Sequence, residues 1–151
     1  MTIVDELFHN KVLTAVLAGW IIAQALKIPT EYLRSRRLLW AMFFAPGGMP
    51  SSHSALMVAG AVSTGLYYGF DNPTFAIAVA ITMIVVHDAA GVRRQAGFHA
   101  ERINFLFEEL LKGHAWDEQD LKEVIGHTPL EVGGGIILGF IIAIAQWIFW
   151  R

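Results

Sequence analysis

VLTAVLAGWIIAQAL, residues 12–26, is an uncharged run held between Lys11 and Lys27, and how it is read decides the fold. At a rise of roughly 1.5 Å per residue it nearly crosses a hydrocarbon core of roughly 30 Å as a helix, with the two lysines reaching out to the headgroups. The whole chain agrees with that reading. Of its 151 residues 55% are apolar and 16% charged, and the mean hydropathy of +0.50 exceeds that of ordinary water-soluble domains. One integral membrane domain over residues 1–151 is expected. The opening residues MTIVDELFHN carry two acids and no basic stretch, so no cleavable signal is expected and the first apolar run stays in the protein.

Working outward, Lys27-Ile28-Pro29-Thr30 is expected to break the first helix, leaving residues 31–37 as a polar connection that carries Arg34, Arg36 and Arg37. Leu38 to Ala45 is too short to span and reads as interfacial or re-entrant. Residues 46–50, PGGMP, form a turn, and Ser51-Ser52-His53-Ser54 supplies hydroxyls suited to capping a second span from about Ser52 to Phe70. After the turn Asp71-Asn72-Pro73, a third span starts at Thr74, closes on His87 and Asp88 and runs toward Arg93 and Arg94. Residues 95–128 are rich in charge and form the main extramembrane piece, in which Ile103 to Leu111 is patterned to lie on the membrane surface. Pro129 to Trp150 makes the last span. The expected fold is therefore all-α, a polytopic membrane helix bundle of about four spanning helices plus short re-entrant and interfacial helices. Gly65/Gly69 and Gly135/Gly139 would let helix backbones approach closely, and such faces also suit a homo-oligomer.

Four crossings put the connections 27–51 and 87–128 on one face and both termini on the other. All of the eleven Lys and Arg except Lys11 and Arg151 then share the first face, which the positive-inside tendency makes cytoplasmic. Lys27, Arg34, His53, Asp88, Arg93, Arg94, His127 and Glu131 all fall at span ends on that face. Ionisable groups at membrane depth need partners, so this gathering marks a candidate site.

Glycines and prolines ahead of Ser51-Ser52-His53 set backbone N–H groups and hydroxyls at a helix start, an arrangement that attracts an anion such as phosphate. His127 and Glu131, four apart, share a face if both are helical, so the carboxylate can orient an imidazole acting as nucleophile, general base or metal ligand. His53 supplies a second acid–base group. Lys27, Arg34, Arg93 and Arg94 are the cations available to phosphate oxygens, while Arg36, Arg37 and Arg102 read as topogenic charge. Asp88 reads as a support that orients an arginine. His9, His99 and His114 read as solvent-facing. A metal site is the weaker reading, because no two histidines show a short ligand spacing and the nearby cations oppose a divalent ion. With no cysteine there is no disulfide, zinc–thiolate or thiol nucleophile.

Gly47-Gly-Met-Pro-Ser-Ser-His-Ser-Ala55, His87-Asp-Ala-Ala-Gly-Val-Arg-Arg94 and His127-Thr-Pro-Leu-Glu131 resemble the divergent branch of the type 2 phosphatidic acid phosphatase superfamily, to which vanadium haloperoxidases are also related. That superfamily carries the motifs K-x6-R-P, P-S-G-H and S-R-x5-H-x3-D and works without metal through a phosphohistidine. Lys27 and Arg34 match the first, with Ser35 in place of proline. Pro50-Ser51-Ser52-His53 matches the second, with serine in place of glycine. His127 and Glu131 match the end of the third, but Asp120 and Leu121 stand where Ser-Arg belongs. The resemblance implies His127 as nucleophile, Glu131 as its orienting carboxylate and His53 as general acid, with Lys27, Arg34, Ser51 and Ser52 on phosphate. Arg93 or Arg94 is expected to replace the missing arginine.

A membrane phosphatase acting on a lipid phosphomonoester or diphosphate, without cofactor, is the leading expectation. The alternative is a non-catalytic membrane protein that binds anionic headgroups as a transporter, scaffold or lipid-handling partner. A small channel or proton-linked transporter fits less well, since the polar groups gather at one end and only Gln24 and Gln146 lie plainly within spans. A net charge of −2 gives no reason to expect nucleic acid as a partner.

Overall fold

Thr2 and Asp5 form a reciprocal capping box that starts the short helix α1 (Ile3–His9). Asn10 then caps the long helix α2 (Lys11–Ser35), its side chain accepting the Leu13 N–H at 3.0 Å. The computed structural model describes residues 2–44, 47–110 and 127–150. All regular structure among the described residues is helical: after α2 come a 3₁₀ turn (Trp40–Phe43) and the helices α3 (Ser52–Tyr68), α4 (Pro73–Ala90), α5 (Val92–Leu110) and α6 (Pro129–Phe149).

The expected break at Pro29 does not occur, because α2 runs through it to Ser35 and ends with Arg36 in the left-handed conformation at φ 56°. Proline removes one N–H, but that loss need not end a helix packed within a membrane. The carbonyl that loses its helical donor is that of Ala25; one turn of the same segment is tied outward instead, with Thr30 Oγ1 2.8 Å from the Leu26 carbonyl oxygen and within bonding distance of the Met49 carbonyl in the following loop. Glu31 and Arg34 are thereby carried on the face that also holds Trp20, Gln24 and Lys27, spaced by three or four residues.

Three helices, α2, α6 and the run from Pro73 to Phe107, are long and apolar enough to cross a bilayer. The 17 residues of α3, about 25 Å at helical rise, lie at the centre, packed against α2, α4 and α6, and make the fourth crossing. The molecule is an all-α bundle of about four spans. Lipid tails supply no hydrophobic drive between helices, so close backbone approach holds them. A Cβ on Gly139 would sit 2.7 Å from the Ala55 carbonyl oxygen, and one on Gly19 would meet that same oxygen at 3.0 Å from the other side. The Gly135/Gly139 pair thus packs as its spacing suggests, whereas Gly65/Gly69 does not: Gly65 accommodates the rings of Phe70 and Phe75, and Gly69 ends α3 at φ 96°.

The two ends of the bundle differ. At one end Gln146 Nε2 donates to the Lys11 carbonyl (2.7 Å) and Thr14 Oγ1 (2.9 Å), Tyr67 Oη donates to the Trp150 carbonyl, and the Lys11 ammonium lies over the Tyr67 ring. At the other end lie the C-terminal turns of α2 and α4 and the N-termini of α3 and α6. Helices α4 and α5 are separated by Gly91 alone, and α5 starts at Val92, well ahead of Ile103 where the stretch expected to lie on the membrane surface begins.

Candidate functional site

At the second end of the bundle, α6 begins with Thr128 as N-cap and Pro129 in its first turn. The Thr128 hydroxyl accepts the Glu131 N–H (3.3 Å), and the Glu131 carboxylate reaches back to accept the Thr128 N–H (3.0 Å). In that position Glu131 Oε2 also lies 3.2 Å from Nδ1 of His127. His127 stands just before the cap rather than in the helix, so the pair arises from a capping box and not from two side chains on one helical face. The outcome for the imidazole is the one the spacing suggests. His127 is only 5% exposed.

The start of α3 is tied to the same point, since Ser51 donates its N–H to the Glu131 carbonyl at 2.9 Å. That bond sets α3's first turn beside His127, and the His53 and His127 ring centroids lie 6.2 Å apart. Ser51 itself is fully buried, with its Oγ accepting from the Ser54 N–H and lying 3.1 Å from the Ser54 hydroxyl. Its hydroxyl works as a cap.

A cavity of about 200 Å³ opens between α2 and the start of α3, lined by Trp20, Gln24, Lys27, Phe44, Gly47, Ser52 and His53. Lys27 is 2% exposed, and its aliphatic stem runs under the loop at Gly48, where a Cβ would stand 3.6 Å from two Lys27 carbons. Gly48 holds φ 84°, a conformation that favours glycine, and this lets the loop cross the lysine closely. The first turn of a helix concentrates backbone donors and the positive end of its dipole, so Lys27, Ser52 and His53 form an anion-receptive wall.

Arg34 is exposed and lies elsewhere. It lines a second cavity of about 310 Å³ with Thr30, Glu31, Gly48, Met49, Thr128, Leu130 and Glu131, across the Gly47–Pro50 loop from the first. Two helical turns, about 10 Å, separate Arg34 from Lys27 along α2. The structure therefore brings Lys27, Ser52 and His53 into one cavity, sets His127 and Glu131 beside it, and gives Arg34 a separate wall shared with Glu131. Asp88 is at the same end of the bundle but on its flank, in a third cavity with Met83, Ile84, His87 and Val92. Arg93 and Arg94 fall in α5, and their side chains lie outside the described residues, as do Asp120, Leu121 and His114. His9 and His99 are exposed.

Trp20, Gln24 and Thr30 had no assigned role at the level of sequence, yet the first two line the lysine cavity and the third braces its loop. Their register with Lys27, at seven and three residues before it and three after, was the available signal.

With this geometry in place, the family can be stated: the chain belongs to the divergent PAP2 family, whose sequence pattern matches residues 8–142. It is similar to a protein of Bacillus subtilis (strain 168) named Uncharacterized membrane protein YuiD, 39% identical over 153 residues that cover 91% of this chain and 97% of the relative. No solved structure matches the chain.

Proposed function

We propose that this membrane protein hydrolyses a lipid phosphate, a phosphomonoester or diphosphate, through a phosphohistidine formed on His127. The observation that carries the reading is the pairing of a Glu131-oriented His127 with His53, 6.2 Å away between ring centroids, next to the buried Lys27. With Nδ1–H donated to Glu131, Nε2 holds the lone pair that attacks phosphorus. The N–P bond forms as the P–O bond to the lipid breaks, and the leaving oxygen takes a proton from His53. Water then attacks phosphorus, gives its proton to the now neutral His53, and the N–P bond breaks to release phosphate and restore both imidazoles. A nucleophile about 3–3.5 Å from phosphorus and an acid about 2.6–3.2 Å from the leaving oxygen are compatible with that ring spacing. Lys27 and the first turn of α3 would take the phosphate oxygens, with Arg93 or Arg94 standing in for the family's third-motif arginine and Asp88 orienting it. Arg34 would act from the neighbouring cavity. The site face is read as cytoplasmic with both termini opposite.

The test is phosphate release by the detergent-purified chain, with chelator present, from a panel of lipid phosphates and diphosphates, beside folded His127→Asn and His53→Asn variants. Release that survives chelation and is lost in both variants supports the mechanism; release undiminished in His127→Asn removes it.

One observation favours a second reading, the binding of anionic headgroups without turnover: among the described residues lining the His53 cavity, Lys27 is the one cation. In that case lipid phosphates bind, none is hydrolysed by the wild type, and His127→Asn binds them as well as the wild type does.

A further inference from the structure

Gln24 is 7% exposed, and its Oε1 is buried with no hydrogen-bond donor among the described residues. An unmet buried acceptor carries a desolvation cost that is seldom kept where water or an apolar residue would serve. Gln24 lines the 200 Å³ cavity with Lys27 and His53, and on α2 it sits one turn, about 4.5 Å of rise, deeper in the membrane than Lys27. Beyond it on α2 is Trp20, an aromatic wall partly exposed to the surroundings of the bundle, and the largely exposed Phe44 lines the same cavity from the connecting loop. The order from membrane face to membrane interior is therefore cation, amide, aromatic. A lipid phosphate presents its groups in the same sequence: phosphate, the carbons beside the ester with any substituents, then the hydrocarbon chain.

We propose that Gln24 is a substrate-reading residue whose amide oxygen accepts a hydrogen bond from a hydroxyl or N–H on the carbons next to the phosphate ester. The cavity would then favour hydroxyl- or amide-bearing lipid phosphates, of the glycerol or sphingoid type, over plain alkyl or prenyl phosphates, which have no donor there. This rests on the reading that phosphate lies among Lys27, Ser52 and His53, and it adds a selectivity which that reading does not contain. The acceptor would be met in the complex and unmet without it, so its cost becomes discrimination between ligands.

The experiment uses two long-chain alkylphosphonates, identical except for one hydroxyl near the phosphonate, titrated into the detergent-purified full chain and its Gln24→Met variant. Wild type should bind the hydroxylated compound about tenfold more tightly, the value of one neutral hydrogen bond. In Gln24→Met the ratio should fall to about one with affinity for the plain compound kept, and melting temperature should hold or rise because an unmet acceptor has gone. Equal wild-type affinities, or a ratio that survives Gln24→Met, overturns the proposal. So does a Gln24→Met variant that melts lower or fails to fold, since the amide would then be structural. If neither compound binds the wild type, the phosphate site itself is wrong, an outcome distinct from two compounds that bind equally.

Discussion

Ser51 donates its backbone N–H to the Glu131 carbonyl at 2.9 Å, while the Glu131 carboxylate holds the Thr128 N–H at 3.0 Å and His127 Nδ1 at 3.2 Å. One residue thus joins α3 to α6 through its main chain and orients the candidate nucleophile through its side chain. These two duties can be separated by substitution, because the first needs no side chain.

Glu131→Gln keeps a residue able to close the capping box, so the melting temperature should change little. The amide serves the imidazole less well than a carboxylate, and turnover should fall roughly 10²–10⁴-fold, the range associated with positioned acid–base groups. Glu131→Ala should lose the same activity and also about 1 kcal/mol of stability through the missing cap. Thermal unfolding and phosphate release, measured together in detergent, check the separation. Equal activity in wild type and Glu131→Gln would remove the orienting role.

The three consecutive glycines of α6 should respond very differently to alanine. A Cβ on Gly135 would run into the Ser51 carbonyl and lie 2.8 Å from the Ser54 Cβ, whereas one on Gly133 meets nothing within 4 Å. Gly135→Ala should cost about 1–3 kcal/mol by forcing α6 off α3, and should disturb the His53–His127 spacing. Gly133→Ala should be neutral or stabilising by up to about 1 kcal/mol, since a helical glycine gives up more chain entropy than alanine. Melting curves of the two variants decide the matter.

The spans were legible because their signal is compositional: uncharged runs such as 12–26 and 136–145 have one physical home. Pro29 misled because the loss of a single N–H, the one that would meet the Ala25 carbonyl, need not end a helix packed within a membrane, and the tie from Thr30 to the Met49 carbonyl is a tertiary fact. The His127–Glu131 pair was legible for a different reason than the actual one, four-residue spacing instead of a capping box at Thr128. Lys27 and Arg34 look equivalent in sequence. The loop that lands on Gly48 divides them between two cavities, and no local pattern announces where a glycine loop will fall.

That division gives Lys27 and Arg34 unequal roles. Lys27 is buried beside His53, so Lys27→Met should weaken binding of a phosphate mimic such as vanadate by roughly 10- to 150-fold, the worth of a buried charged hydrogen bond, while the apolar replacement keeps the bundle folded. Arg34 is exposed in the neighbouring cavity, and Arg34→Ala should change affinity by about fivefold or less. Titration of both variants checks the order. An Arg34 loss as large as that of Lys27 would mean that the ligand bridges both cavities.

The orientation of the bundle rests on charges that chemistry does not claim. With Lys27 and Arg34 set aside as site residues, Arg36 and Arg37 still stand exposed at the end of α2 and Arg102 lies on α5, whereas Lys11 lies at the opposite end of the bundle. The proposed cytoplasmic placement of the site face thus draws on the positive-inside tendency without counting any cation of the cavity. The chain has no cysteine, so a single one reports its own side of the membrane. Asp71→Cys, in the exposed turn between α3 and α4, should react with an impermeant maleimide in intact cells, and Arg37→Cys only after the membrane is opened. The reverse pattern would put the site outside, where only lipid phosphates of the outer leaflet could reach Lys27 and His53.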